Sequence, residues 1–451
     1  MSQKVAIPMI DCRHAAGQDA VARIRQKLSP RGDVVSAQGR QRTLDVFGEA
    51  LSPKQVVERI CREVESNGLP ALLDYSRQLD QSNVTAETIR VSEDQLRSAH
   101  QSVDPAFLQA VRHVRDNVLA FQKAILHTDV WLKQPDSTLG LIYRPLERVG
   151  CCVPGGAAAY PSTLLMTVVP AQAAGVKEIV VVAPPTPFGA NNKDVQAVCW
   201  ELGIRELYRM GGAQGVAALA YGVEGIRPVD KIVGPGNLFV ALAKQLVSDR
   251  VGIDMMAGPT EVVVLADQST SAKLLAADLI SQAEHAPGAS ILITWSSQLA
   301  QEVAIALEGE LDRVDRSQLA RESLEAYGAI LIVEDESAGC RLSDEFAPEH
   351  LSIQTQDSER TMAKIKHAGA IFVGPFSPVG VGDYIAGPSH TLPTGGTARF
   401  ASGLSANDFL KRSSIIHYSK EKLREVADSV RAMAAKEGLT AHSHSVDVRF
   451  E

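Results

Sequence analysis

The sequence predicts an α/β protein with two doubly wound parallel-sheet units, a helical N-terminal region and an extended helical C-terminal tail. Three observations carry this expectation. From Arg148 onward, short apolar runs that end in glycine or proline alternate with helix-length segments, and a second series of such runs begins near Glu261. The chain before the first series and the chain's end are charged and patterned at helical spacing.

With 451 residues, 45% of them hydrophobic, the chain can bury two or more substantial cores. In the first 145 or so residues, "SPKQVVERICREVESNGLPALLDYSRQLD" shows the helical pattern. Val56, Val57, Ile60 and Val64 fall on one face behind a Ser52-Pro53 start. The first strand series is "RVGCCVPGG", "EIVVVAPP", "ELYRMGG" and "KIVGPGN"; the second is "EVVVLAD", "ASILIT", "AILIVED", "LSIQT" and "AIFVGP". Runs apolar on both faces suit parallel strands covered by helices, with sites expected in crevices at the carboxyl ends of the strands. The last stretch, "SKEKLREVADSVRAMAAKEGLTAHSHSVDVRFE", reads as an amphipathic helix followed by a polar tail that docks on something.

Asp plus Glu exceed Lys plus Arg, 53 against 45, for a net charge of −8, and the basic residues are dispersed. That pattern leaves no footprint for nucleic acid or an anionic membrane, so small molecules and further copies of the chain are the expected partners. The N-terminal "MSQKVAIPMIDCRHAAGQD" lacks a secretory pattern, and no window approaches eighteen uninterrupted apolar residues; a cytoplasmic protein is expected. The cysteines Cys12, Cys61, Cys151, Cys152, Cys199 and Cys340 follow no C-x-x-C spacing and read as buried thiols, with no mechanism attached to the adjacent Cys151-Cys152 pair.

Of eleven histidines, seven lie after residue 284. In "STSAKLLAADLISQAEH", Leu275, Leu279 and Gln282 descend one helix face and His285 follows about a turn later, so Gln282 and His285 can converge beyond the helix end. A histidine there also complements the helix dipole, and the following Pro-Gly is ordinary stop punctuation. Glu349-His350 immediately precede a strand, and Asp383 and His390 lie in the glycine-rich "GVGDYIAGPSHTLPTGG". A carboxylate, imidazoles and an amide oxygen suit zinc. "VPGG", "MGGAQG" and "GPGN" follow strands as phosphate-approaching loops do, though none matches G-x-G-x-x-G. These patterns by themselves reach an α/β enzyme with a candidate metal site.

Eight phrases taken together resemble the histidinol dehydrogenase family, in order and from about residue 40: "VPGGAAAYPSTLLM", "MGGAQGVAALAYG", "VDKIVGPGN", "DMMAGPTEVVVLAD", "ADLISQAEH", "APEHL", "GDYIAGPSHTLPT" and "GLTAH". The resemblance implies a zinc-dependent homodimer of incomplete Rossmann-like domains that oxidises L-histidinol through the aldehyde to L-histidine with two NAD⁺. It implies one zinc per subunit, held by Gln282, His285, Asp383 and His442, the last delivered to the other subunit's site. Glu349 and His350 take the catalytic positions. Thr260, His390 and Glu437 join Gln282, His285, His350, Asp383 and His442 around the substrate, and Cys152, Gln214 and Asn237 fall at cofactor-contacting positions. The expected division is an arm at 1–40; a first α/β domain of 41–150 and 255–385 carrying the zinc and catalytic residues; a second, NAD-contacting α/β domain at 151–254; and a dimer-exchanging tail at 386–451.

Four departures from the family pattern stand out. Cys152 replaces the usual tyrosine and cannot stack as a ring does. Thr260 replaces serine, Ser389 asparagine and Met256 proline. An alternative reading is a dehydrogenase of the same scaffold acting on another small polar alcohol; retention of Glu437 and His390 argues against it. A non-catalytic metal-binding protein would need neither Glu349 beside His350 nor the "GGAQ" and "GPGN" loops.

Overall fold

Two parallel sheets organise the chain, and a small antiparallel sheet joins its middle to its end. The computed structural model describes residues 5–28, 37–156, 158–255, 258–285 and 288–451; Met256 lies outside them. The chain opens with β1 (Met9–Asp11), α1 (Ala15–Leu28) and α2 (Ala37–Phe47). Helix α3 (Pro53–Asn67) starts at the expected place because Ser52 and Gln55 satisfy each other's backbone N–H groups and Pro53 follows the cap. Its stripe Val56, Val57, Ile60 and Val64 is buried. After it come α4 (Leu69–Asp80), α5 (Glu93–Ser102), α6 (Pro105–Ala124) and the antiparallel pair β2 (Val130–Gln134) and β3 (Ser137–Pro145).

The first strand series folds as β4 (Arg148–Cys152), α7 (Pro161–Ala174), β5 (Glu178–Ala183), α8 (Lys193–Glu201), β6 (Glu206–Arg209), α9 (Gly212–Tyr221), β7 (Lys231–Val233), α10 (Leu238–Leu246) and β8 (Gly252–Ile253). The parallel order β6-β5-β4-β7-β8 reverses direction between β4 and β7. Strand alternation accounts for the paired cysteines: Cys151 packs with Val181 and Leu164 on one face of the sheet, Cys152 with Val182 and Ile232 on the other. All six thiols are buried and unbridged.

The second series gives β9 (Thr260–Ala266), α11 (Ala272–Ala283), β10 (Gly288–Thr294), α12 (Ser297–Leu311), α13 (Ser317–Tyr327), β11 (Ala329–Ile332), α14 (Glu336–Phe346), β12 (His350–Gln354), α15 (Ser358–Met362), β13 (Ala370–Val373) and α16 (Val379–Tyr384). This sheet is parallel in the order β1-β11-β10-β9-β12-β13, so the N-terminal arm supplies an edge strand. The chain ends with β14 (Leu410–Tyr418), which pairs antiparallel with β3, then α17 (Lys420–Glu437) and α18 (Thr440–Asp447). What reads in sequence as a polar tail is thus largely a second helix, set off by Gly438 in the left-handed conformation at φ 70°.

One expectation is corrected by packing. Residues 41–150 are expected with 255–385, yet their helices cover the five-stranded sheet. Val56, Ile60 and Leu72 share a core with Val182, Leu219 and Ile232, while Leu96, Val111 and Val118 pack with Leu164, Val195 and Leu207. The apolar stripe of α3 needs a close cover, and the alanine-rich α9, with Ala213 and Ala217 buried, lets it approach. Among the described residues no helix is long and apolar enough to cross a membrane.

Candidate active site

Sites are expected at the carboxyl ends of the strands, and the main cavity lies there for one sheet only. A cavity of about 990 Å³ runs between the two sheets. The five-stranded sheet meets it at its carboxyl edge, beside the β4/β7 reversal, where Cys152 ends β4 and Gly234 follows β7. The six-stranded sheet meets it at its amino edge: Thr260 begins β9, and His350 begins β12 directly after Glu349. Connectivity is the physical reason. Helix α11 returns antiparallel to β9, so its last turn, with Gln282, and His285 just beyond it land beside the start of the strands.

Glu349 and His350 are both buried, at 6% and 4% exposure. The His350 Nδ1 lies 3.1 Å from the Glu261 carbonyl oxygen, which can only accept, so Nδ1 carries the hydrogen and Nε2 the lone pair. That Nε2 is buried without a hydrogen-bond partner and stands 3.8 Å from Asp383 Oδ1. Burial lowers the His350 pKa, favouring the neutral imidazole. Glu349 Oε2 accepts from the Thr260 hydroxyl at 2.6 Å and from the Glu261 N–H at 2.9 Å, and burial pushes the carboxyl up to about 8. Gln282, also buried, donates from Nε2 to Thr260 Oγ1 at 2.8 Å.

Asp383, near the end of α16, faces three imidazoles: it favours the charged form of His285, His350 and His390, while loss of hydration lowers the pKa of all three. His390 Nδ1 points to the Asp383 carbonyl oxygen at 3.0 Å, which leaves its Nε2 as the free nitrogen. The donor chemistry of Gln282, His285 and Asp383 fits zinc: an amide oxygen, an imidazole held toward neutrality and a carboxylate. Among the described residues no three His, Cys, Asp or Glu side chains gather as a metal cage, and the three residues named supply only two of that kind. Glu437 and His442 are exposed, on α17 and α18, and neither borders the cavity within one chain.

Toward the five-stranded sheet, Gln214 Oε1 is buried without a partner while its Nε2 donates to Asp80. Asn237 caps α10, its Oδ1 accepting the Phe239 and Val240 N–H groups. Cys152 borders the cavity as a thiol that burial pushes up to about 12, so it is not a thiolate nucleophile. Both backbone groups of Gly234 are held, its N–H by Asp254 Oδ2 at 2.7 Å and its carbonyl by Lys244 Nζ at 3.0 Å. A Cβ at Gly234, φ 103°, would meet the Cys152 carbonyl oxygen at 2.2 Å, which explains glycine here. Gly-rich backbone with an unpartnered amide oxygen fits a nucleotide cofactor.

The structure therefore gathers Thr260, Gln282, His285, Glu349, His350, Asp383 and His390 at one end of the cavity and Cys152, Gln214 and Asn237 at the other. Ser389 points away: its Oγ donates to the Met166 carbonyl of α7 at 2.8 Å, so this departure falls on scaffolding. Sequence reading missed Glu261, Lys244 and Asp254. Glu261 sits under the site, its carboxyl accepting the Glu349 and Gly395 N–H groups and pushed up to about 8 by burial. The one sequence signal was a charged residue opening an otherwise apolar strand.

The chain is similar to known proteins along nearly its whole length. The family described as histidinol dehydrogenase matches residues 49–450. A histidinol dehydrogenase of Rhodopirellula baltica is 53% identical over 450 residues, 99% of this chain and 98% of that protein. One of Geobacillus kaustophilus is 44% identical over 433 residues, 96% and 99% of the two chains. The crystal structure of histidinol dehydrogenase from Elizabethkingia anophelis superposes with a TM-score of 0.84 at 33% identity, covering 89% of this chain and 93% of that one.

Proposed function

The chain belongs to the histidinol dehydrogenase family, and from that membership we propose that it carries out the zinc-dependent, NAD-linked four-electron oxidation of L-histidinol, through L-histidinal, to L-histidine in the cytoplasm. Gln282, His285 and Asp383 hold the zinc together with His442 of the partner subunit, and each site of a homodimer is shared. Bound zinc supplies a Lewis acid and template for the amino alcohol, and NAD⁺ accepts the hydride in each of two oxidations.

The observation that carries this reading is the His350 Nε2: a buried, unpartnered lone pair beside Asp383, with its tautomer fixed from behind by the Glu261 carbonyl. It takes the hydroxyl proton in the first oxidation, as a base whose ordinary pKa lies near neutrality and which burial keeps unprotonated. The aldehyde then gains water before the second hydride leaves. In its ionised form Glu349 positions and deprotonates that water with Oε1, because Oε2 is already occupied by two donors, and His350 again receives a proton. Thr260, His390 and Glu437 of the partner subunit complete the substrate's surroundings. Cys152, Gln214 and Asn237 border the cofactor. Keeping both oxidations inside one cavity holds the reactive aldehyde away from solvent.

NADH formation from L-histidinol, measured with and without a chelator and after zinc is restored, tests the proposal. Two NADH per histidinol, lost on chelation and regained with zinc, is the expected result. Turnover indifferent to chelation, or a different alcohol oxidised far faster, would overturn it.

A further inference from the structure

Four residues from three separate parts of the chain form a hydrogen-bond chain whose direction is fixed. Gln282 on α11 meets Thr260 on β9 at 2.8 Å, and Thr260 meets Glu349 Oε2 at 2.6 Å; the Glu261 backbone N–H reaches the same oxygen at 2.9 Å. A backbone N–H can only donate, so Glu349 Oε2 is an acceptor whether the carboxyl is ionised or carries its proton on Oε1. In either of those two states the single hydroxyl hydrogen of Thr260 goes to Oε2. Its oxygen is left to accept, and the partner that can donate to it is the NH₂ end of Gln282. The amide orientation, ambiguous when taken alone, follows from this chain of necessity.

We propose that Thr260 is a positioning residue, acting as a one-way relay that turns the Gln282 amide so that Oε1 is the atom available to a metal, and that pins Glu349 so that Oε1 is the oxygen available to water. The inference rests on the assignment of Gln282 as a zinc ligand above. It gives Thr260 a role beyond contact with substrate, and it explains how a threonine serves where the family usually has serine: the relay uses the hydroxyl alone. Gln282 at 2% and Glu349 at 6% exposure have little water to replace a lost partner, so removal of the hydroxyl leaves a buried amide free to turn and a buried carboxyl one donor short.

The test compares Thr260→Val, which keeps the shape and removes the hydroxyl, with Thr260→Ser, which keeps the hydroxyl. Zinc affinity of the full-length protein is measured by competition with a chromophoric chelator in the absence of substrate, alongside kcat, KM and a thermal melt. The valine variant is expected to lose zinc affinity by roughly 10- to 100-fold, as loss of a ligand's outer hydrogen-bond partner does. Its kcat should fall as well, and the serine variant should stay near wild type in both. If Thr260→Val does not fold, Thr260→Ala carries the same comparison. Wild-type zinc affinity in the hydroxyl-free variant, with only the KM for histidinol raised, would make Thr260 a substrate contact and overturn the relay while leaving the zinc assignment intact. A wild-type protein without zinc affinity, or a His285→Ala variant that binds zinc as tightly as wild type, would overturn the zinc assignment itself, and the relay with it.

Discussion

Asp278→Asn should make the protein more stable, and only above a defined pH. Asp278 lies on α11 one turn before Gln282, is 9% exposed, and accepts one hydrogen bond, from Gln354 Nε2 at 3.0 Å. Burial outweighs that bond and pushes the carboxyl up from 3.8 to about 6. Between those two values the folded protein holds a proton that the unfolded chain has released, so stability falls as pH rises through the window and stays lower above it. A rise from 3.8 to about 6 corresponds to about 3 kcal/mol at roughly 1.4 kcal/mol per tenfold. Asparagine does not titrate, keeps an acceptor for Gln354 Nε2, and brings an N–H donor to the side of Gln354, whose Oε1 is buried without a partner. Chemical denaturation of both proteins at intervals from pH 4 to pH 8 is the assay. The two should be close in stability at pH 4 and diverge through pH 6. By pH 8 the variant should lead by about 3 kcal/mol, or about 3 °C in Tm if the chain unfolds as one unit at roughly 2.1 cal/mol/K per residue. A gap that does not change with pH, or a variant less stable at pH 8, would refute the argument that burial dominates this carboxyl.

Further outcomes follow from the proposed site. Mixing His285→Ala with His442→Ala chains after mild dissociation should restore roughly a quarter of wild-type activity, since about half the dimers are mixed and each has one intact site of two; no recovery with proven subunit exchange would place His442 in its own chain's site. His350→Ala should keep its zinc while turnover falls by roughly 10²- to 10⁴-fold, and an effect confined to KM would make it a binding residue. Glu349→Gln should slow histidinal oxidation more than histidinol oxidation, which single-turnover measurements on each substrate can separate; equal losses would remove its special part in water activation. Cys152→Tyr should lower the KM for NAD⁺ by returning a ring to the cavity wall, and an unchanged KM in a folded variant would mean the cofactor lies elsewhere.

The sequence by itself determined what depends on neighbours along the chain. Runs such as "EIVVVAPP" and "ASILIT" became parallel strands because they are apolar on both faces, and α3 began at Ser52-Pro53 because a capping pair three residues apart satisfies its own N–H groups. The phrases "SQAEH", "PEH" and "GDY" pointed, through the family resemblance, to Gln282, His285, Glu349, His350 and Asp383, which the fold brings together at one cavity. Three things were not legible there. The largely exposed β14 pairs with β3 across more than 260 residues, so β14 has no partner to betray it locally. The amino-edge location of the site came from the return path of α11, a property of connectivity rather than of any residue. Glu261 reads as one more charge at a strand start, yet its N–H, carbonyl and carboxyl hold Glu349 and His350, both nearly ninety residues away. A hydrogen bond's partner and direction depend on atoms brought together by the packing of whole sheets, and only the folded chain supplies them.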